Sequence, residues 1–101
     1  MLEHEVFAET PIGVVTHYWS HLGVAGIHLT APLDVGDRIH IHGHTSDFEQ
    51  LVKSIETEHH TIPHADADAD VGIAVADHVR EHDVVYRLVE LADVGADEVM
   101  L

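Results

Sequence analysis

Cysteine is absent from the 101 residues, which excludes a disulfide framework, a thiolate zinc site and a cysteine nucleophile together. Lysine and arginine number only four, namely Arg38, Lys53, Arg80 and Arg87. A basic groove of the ordinary nucleic-acid type cannot be assembled from so few. Aromatic residues are almost as scarce, with Phe7, Tyr18, Trp19, Phe48 and Tyr86 the full set, so the core has to be aliphatic. No apolar run approaches the roughly 18 residues of a membrane span, and MLEHEVFAE at the start has neither the basic nor the apolar region of a signal peptide. The chain therefore reads as cytoplasmic, with no membrane partner. It also lacks any G-x-x-x-x-G-K-[ST] phosphate loop, which excludes GTP binding. No cofactor is expected.

Acid and histidine are what the chain has in excess. Nineteen Asp and Glu against four Lys and Arg give a net charge of −15, and twelve histidines accompany them. In dilute buffer such a field repels nucleic acid and anionic lipid. At molar salt the Debye length shrinks to about 3 Å and the repulsion fades. The near loss of lysine resembles the proteins of salt-accumulating archaea, and it implies a halophilic, acidic protein.

Strand signals recur about every ten residues between Gly, Pro and Asp clusters, the spacing of a barrel or sandwich rather than of βαβ units. Residues 12–19 place Ile12, Val14, Thr16 and Tyr18 on one face and Gly13, Val15, His17 and Trp19 on the other. In 24–29, Ala25, Ile27 and Leu29 alternate with Val24, Gly26 and His28. Leu33 to Thr45 is the most regular stretch: Gly36 supplies a turn position, Ile39 and Ile41 point to the core, and Arg38, His40 and His42 point away. In 48–57, Phe48, Leu51, Val52 and Ile55 have helical spacing behind a Ser46/Glu49 capping box, but isolated short helices are marginal and a strand is expected there. Residues 71–76 alternate Val71, Ile73 and Val75 with Gly72, Ala74 and Ala76, a small-residue face suited to lie against a neighbouring layer. The domain division is an N-terminal extension 1–10, a β-domain 11–89 and an acidic tail 90–101.

Five segments taken in order resemble domain 2 of elongation factor Tu: the strand with Gly13, the hairpin to 24–29, L.VGD.I.I at 33–41, VGI.V at 71–75 and D.VY at 83–86. Stand-alone translation elongation factor-like proteins share a run similar to Gly43–Gln50. The resemblance implies an all-β, six-stranded closed β-barrel without catalytic residues, acting as an accessory binding module in translation or RNA metabolism. Its implied partner is a protein or ribonucleoprotein, ribosomal or tRNA-related. The same barrel also looks like the C-terminal module of collagenase-like peptidases, which gives the alternative of a protein interaction module working in trans with such an enzyme.

Candidate partner-binding residues are Tyr18 and Trp19, aromatic at a hairpin end, and Arg38, His40 and His42 on the outward face of one strand. His40 and His42 stand about 6.5 Å apart along the chain, near enough to share a zinc ion. A solvated strand face is the favoured reading, so no metal is expected. Asp66, Asp68 and Asp70 superficially suggest a calcium loop, but its sixth position would be Val71 and its twelfth Asp77, which excludes the usual Gly and bidentate Glu.

The charge balance predicts that the Tm rises between about 0.1 M and 2 M KCl as screening relieves self-repulsion. A flat or falling Tm over that range would refute the halophile reading.

Overall fold

The computed structural model describes residues 7–91, and the alternating apolar residues form extended chain throughout them. Ten strands follow in order: β1 Phe7–Trp19, β2 Val24–Leu29, β3 Leu33–Asp34, β4 Arg38–His42, β5 Asp47–Leu51, β6 Ile55–Thr57, β7 His60–Ile62, β8 His64–Ala65, β9 Asp70–Ala74 and β10 Val84–Glu90. Eight of them make one antiparallel sheet in the order β5-β4-β10-β1-β2-β9-β6-β7, and β3 pairs with β8 separately. The all-β class is as expected, and 48–57 is extended as two strands, β5 and β6, with a break at residues 52–54. The helical spacing there is not realised, since Val52 and Ile55 are buried while Leu51 is exposed.

The closed six-stranded barrel is not formed, because no backbone ladder joins the two ends of the sheet. The free edge of β9 is met by β6 at Glu56↔Gly72, and β5 reaches β9 only through a side chain. The Gln50 amide donates to the Ala74 carbonyl (2.9 Å) and accepts from the Ala76 N–H (2.6 Å). One side-chain amide thus stands where a run of ladder bonds would close a barrel.

β1 is paired along both edges, to β10 and to β2, and it carries an extra residue against each. Ile12 is inserted between Pro11↔Tyr86 and Gly13↔Val85. Thr16 is inserted between Val15↔Ile27 and His17↔Gly26. Each insertion reverses the phase of the pleat, so the buried residues are Ile12 and Val15, with Tyr18 packed against them. The uninterrupted alternation expected for 12–19 is corrected by these two bulges. β1 also begins at Phe7 and pairs with β10 as far as Phe7↔Glu90, so residues 7–10 belong to the sheet. Most of the expected acidic tail lies outside the described residues.

The core is aliphatic: Ile12, Ile27, Leu29, Leu33, Ile39, Ile41, Ile55 and Ile73 are its largest fully buried side chains. Two glycines fix the approach to β4 and the exit from it. Gly36 has φ +99° in the third position of the Asp34–Asp37 turn, a conformation that strains other residues. The turn is closed by Asp37 N–H to the Asp34 carbonyl (3.1 Å) and by Asp34 N–H to Asp37 Oδ2 (2.9 Å). At Gly43 the constraint is space, since the buried Asp83 carboxylate occupies the position a Cβ would take. That carboxylate is held by the Arg80 N–H (2.9 Å) and cannot swing away freely.

Gly43→Ala should therefore lower the unfolding free energy by about 2 kcal/mol, the usual cost of overpacking a closed site. Urea unfolding at constant salt checks it, and a loss below about 0.5 kcal/mol would show that Asp83 moves aside.

Candidate functional site

β4 lies between β10 and β5, and with Ile39 and Ile41 fully buried, Arg38, His40 and His42 leave from its outer face. His40 is the centre of this face. Its Nδ1 is 3.0 Å from Glu9 Oε2 and its Nε2 is 2.5 Å from Asp47 Oδ1. Glu9 stands on β1 and reaches over β10, and Asp47 stands on β5, so one imidazole ties four adjacent strands. Donation from both nitrogens requires the protonated ring. Partial burial opposes that charge, but the hydrogen bonds that the ring donates to Asp47 and Glu9 and their negative charges outweigh it, and the His40 pKa is raised above 6.5. The hydrogen bond from His40 in turn lowers the pKa of Asp47 below 3.8, more than desolvation raises it. His42 stacks on His40 with ring centroids 5.5 Å apart, and Tyr86 lies 6.0 Å away on the other side.

At the far end of β4 the Arg38 guanidinium lies 5.1 Å from the Phe7 ring centroid. Arg38 is opposite Leu51 on β5 and Leu88 on β10. Phe7, Leu51, Leu88 and Val89 surround a depression of about 360 Å³ that Arg38 and Arg87 flank. Leu51 is 54% exposed, Val89 46% and the adjoining Leu91 47%, an unusual grouping of wet aliphatic side chains. Phe7 and Glu90 are cross-strand partners, so the described chain enters and leaves beside this apolar patch.

The five candidate residues separate. Arg38, His40 and His42 are together as expected. Tyr18 is half-buried against the core, its ring 4.6 Å from that of His78 in an edge-on contact. Trp19 is 40% exposed but stands elsewhere, over Gly26 on β2. The sequence alone does not single out Phe7 and Glu9, which fall in the expected extension, or Leu51, which it marks only for its helical spacing with Phe48, Val52 and Ile55. Strict alternation from Asp47 to Leu51 would have found Leu51. The shared zinc site is not formed: both His40 nitrogens are engaged by carboxylates, and among the described residues no three His, Asp or Glu side chains are arranged to hold a metal ion. Two further histidines face carboxylates across the described chain. His64 sits between Asp34 (2.6 Å) and Asp66 (2.8 Å), whose hydrogen bonds raise its pKa, and His28 faces Asp70 across β2 and β9 at 2.8 Å.

No protein-family model matches the chain. It is 35% identical over 85 residues to an uncharacterized protease of Methanocaldococcus jannaschii, a match that covers 83% of this chain and 21% of that protein. The chain thus spans about a fifth of the curated relative. Among solved structures it is similar to the C-terminal domain of a protein named as a U32 peptidase of Geobacillus thermoleovorans, with a TM-score of 0.72 and 19% identity over 75% of this chain and 89% of that one. The selenomethionine variant of that domain gives 0.71 and 19% over 74% and 95%. The likeness fixes the fold. It corrects the resemblance to the elongation factor barrel, and with it the translation setting and the ribosomal or tRNA partner. Among the described residues no helix is long and apolar enough to cross a membrane.

His40 and His64 have folded pKa values above the ordinary 6.5, so their contribution is complete below that value and is lost as pH rises through the folded values. Asp47, with its lowered pKa, contributes above 3.8 and loses this as pH falls through its folded value. The Tm should fall as pH is raised from about 5.5 to 8.5. His40→Gln should lower it by about 4 °C at the lower pH and by clearly less at the higher. Equal losses at both would contradict a charged His40, and imidazole NMR titration reads the pKa directly.

Proposed function

We propose that this chain is a cytoplasmic, non-catalytic module that docks on the body of a peptidase, as a domain joined to it or as a separate chain in trans. The observation that carries the reading is the near-complete overlay on a peptidase's C-terminal domain, of which 89–95% is covered. Sequence identity to a protease more than four times the matched length supports it. The side chains fit a docking role: His40 is engaged by Glu9 and Asp47 in ion pairs that tie the sheet, and the exposed apolar side chains beside it are left open to a partner.

The patch of Phe7, Leu51, Val89 and Leu91 is the docking surface in this reading. It lies where the described chain enters and leaves the sheet. Its lining carries Arg38 and Arg87, half of the chain's Lys and Arg residues, beside Asp37 and Glu90, and a partner rim of mixed charge would complement them. Arg87 is held in place by the Pro32 carbonyl (2.5 Å) and by Asp37 at 3.6 Å.

Pull-down at native salt, with and without ribonuclease, tests the proposal. A U32-type peptidase identified by mass spectrometry should be retained after ribonuclease treatment, and Leu51→Glu with Val89→Glu should release it without lowering the Tm by more than about 5 °C, since both residues are already exposed. Retention by the double variant would place docking elsewhere. Loss of all partners on ribonuclease treatment would overturn the reading.

A further inference from the structure

A second surface, unconnected with the docking patch and not dependent on that reading, lies on the outer face of β2, β9 and β6. Trp19 forms one wall. Its six-membered ring covers Gly26, where an added Cβ would stand 3.2–3.3 Å from the indole carbons, and the His17 ring holds it edge-on at 4.4 Å. The opposite wall is Glu56, Thr57 and Glu58, from the end of β6 and the turn that follows. Two depressions of about 280 and 310 Å³ lie between the walls and share Trp19, Glu56, Thr57, Glu58 and Gly72 as lining. Asp70 closes one end, and Leu22, 63% exposed, closes the other.

Two features distinguish this groove from the rest of the sheet face. Gly72 is the floor, opposite Gly26 on β2 and Glu56 on β6. Its φ lies outside the left-handed region, and an added Cβ would meet Val24 Cγ1 at 3.4 Å and the Ala25 carbonyl oxygen at 3.9 Å, both ordinary contacts. Neither backbone nor crowding requires glycine in a strand interior, where it costs roughly 0.5–1 kcal/mol. Among the described residues no further layer covers this small-residue face. The second feature is the β6–β7 turn, built on Glu58 (φ 48°) and His59 (φ 68°). Two-residue hairpin turns of that kind favour Asn-Gly, and non-glycine residues there store strain of the sort that collects at binding sites. The strain sets Glu58 on the rim.

We infer that this groove binds an extended peptide segment carrying arginine or lysine beside an apolar residue, the cation laid on the Trp19 indole and paired with Glu56 and Glu58. Charge complementarity selects this occupant: the walls carry Glu56, Glu58 and Asp70, the last already facing His28, and none of the chain's four Lys and Arg residues lines the groove, where His59 is the one histidine. The apolar floor and Leu22 accept the neighbouring side chain. An indole face is the strongest aromatic partner for a cation, and a glycine floor lets a second backbone approach the sheet closely.

Trp19 is the only tryptophan of the chain, so its fluorescence reports on this groove alone. The probes are the blocked peptide acetyl-Gly-Arg-Ile-Arg-Gly-amide and its twin with Glu in place of Arg. At about 0.15 M KCl the arginine peptide should give a saturable change and the glutamate twin none. Glu56→Gln with Glu58→Gln should weaken binding about fivefold. Gly72→Val should abolish it while leaving the Tm equal or higher, because a β-branched residue suits a strand. Glu49→Gln with Glu81→Gln removes the same charge away from the groove and should change affinity by less than about twofold. No saturable change, equal response to both peptides, or equal weakening by the remote and the rim pairs would each overturn the inference. If Gly72→Val fails to fold, the two glutamine pairs still decide it.

Discussion

Strand β1 is the constraint on which the rest of the architecture depends. A strand bonded on both edges has no freedom to rotate, so a change in which face it buries must be made by inserting residues. β1 does this once against β10, at Ile12, and once against β2, at Thr16. Between them the insertions turn Ile12, Val15 and Tyr18 toward the interior, and they leave Glu9 able to reach His40 across the face at one end and Trp19 able to lie on Gly26 at the other. The histidine tie and the tryptophan groove both follow from the same local accidents of register. Bulges increase twist, and the sheet accordingly curls far enough for Gln50 on β5 to meet the end of β9.

The parts of this fold that were legible in the sequence are those fixed by local chemistry. The positive φ of Gly36, the burial of Ile39 and Ile41, and the inward set Ala25, Ile27 and Leu29 all follow from alternation and turn preference. What alternation does not encode is phase across a bulge or the way a sheet ends. Thr16 looks like any strand residue until its partner strand is known. The elongation factor resemblance erred for a related reason. Its five segments describe short strands joined by glycine turns, a pattern that two different β-domains satisfy equally, and closure of the sheet is decided by edges the segments do not contain. The outward side of β4 was readable, but its partners were not. Glu9 is distant in sequence, and the apolar end needs Phe7, Leu51 and Val89 from three separate strands.

The charge pattern takes on a different character once the side chains are placed. An acidic protein with four strong bases has to find counter-ions elsewhere, and here imidazole is used in pairs of hydrogen bonds with carboxylates, from β1 and β5 in Glu9–His40–Asp47 and from β3 and the residue after β8 in Asp34–His64–Asp66. Each such imidazolium joins β-segments as a bidentate clasp, where a lysine would place a mobile point charge. The clasp is compact and conditional on proton activity, whereas a lysine bridge would be neither.

The seam at Gln50 has a chemical lifetime as well as a geometry. Slow hydrolysis of that amide to a carboxylate leaves the acceptor for Ala76 N–H but removes the donor to Ala74 and points negative charge at a carbonyl oxygen. Ageing of a single side chain would then loosen β5 from β9 and free the β5 edge for pairing with another chain. The acidic Asp47 and Glu49 flanking that edge are the guard against such pairing, so an aged molecule loses closure before it loses solubility.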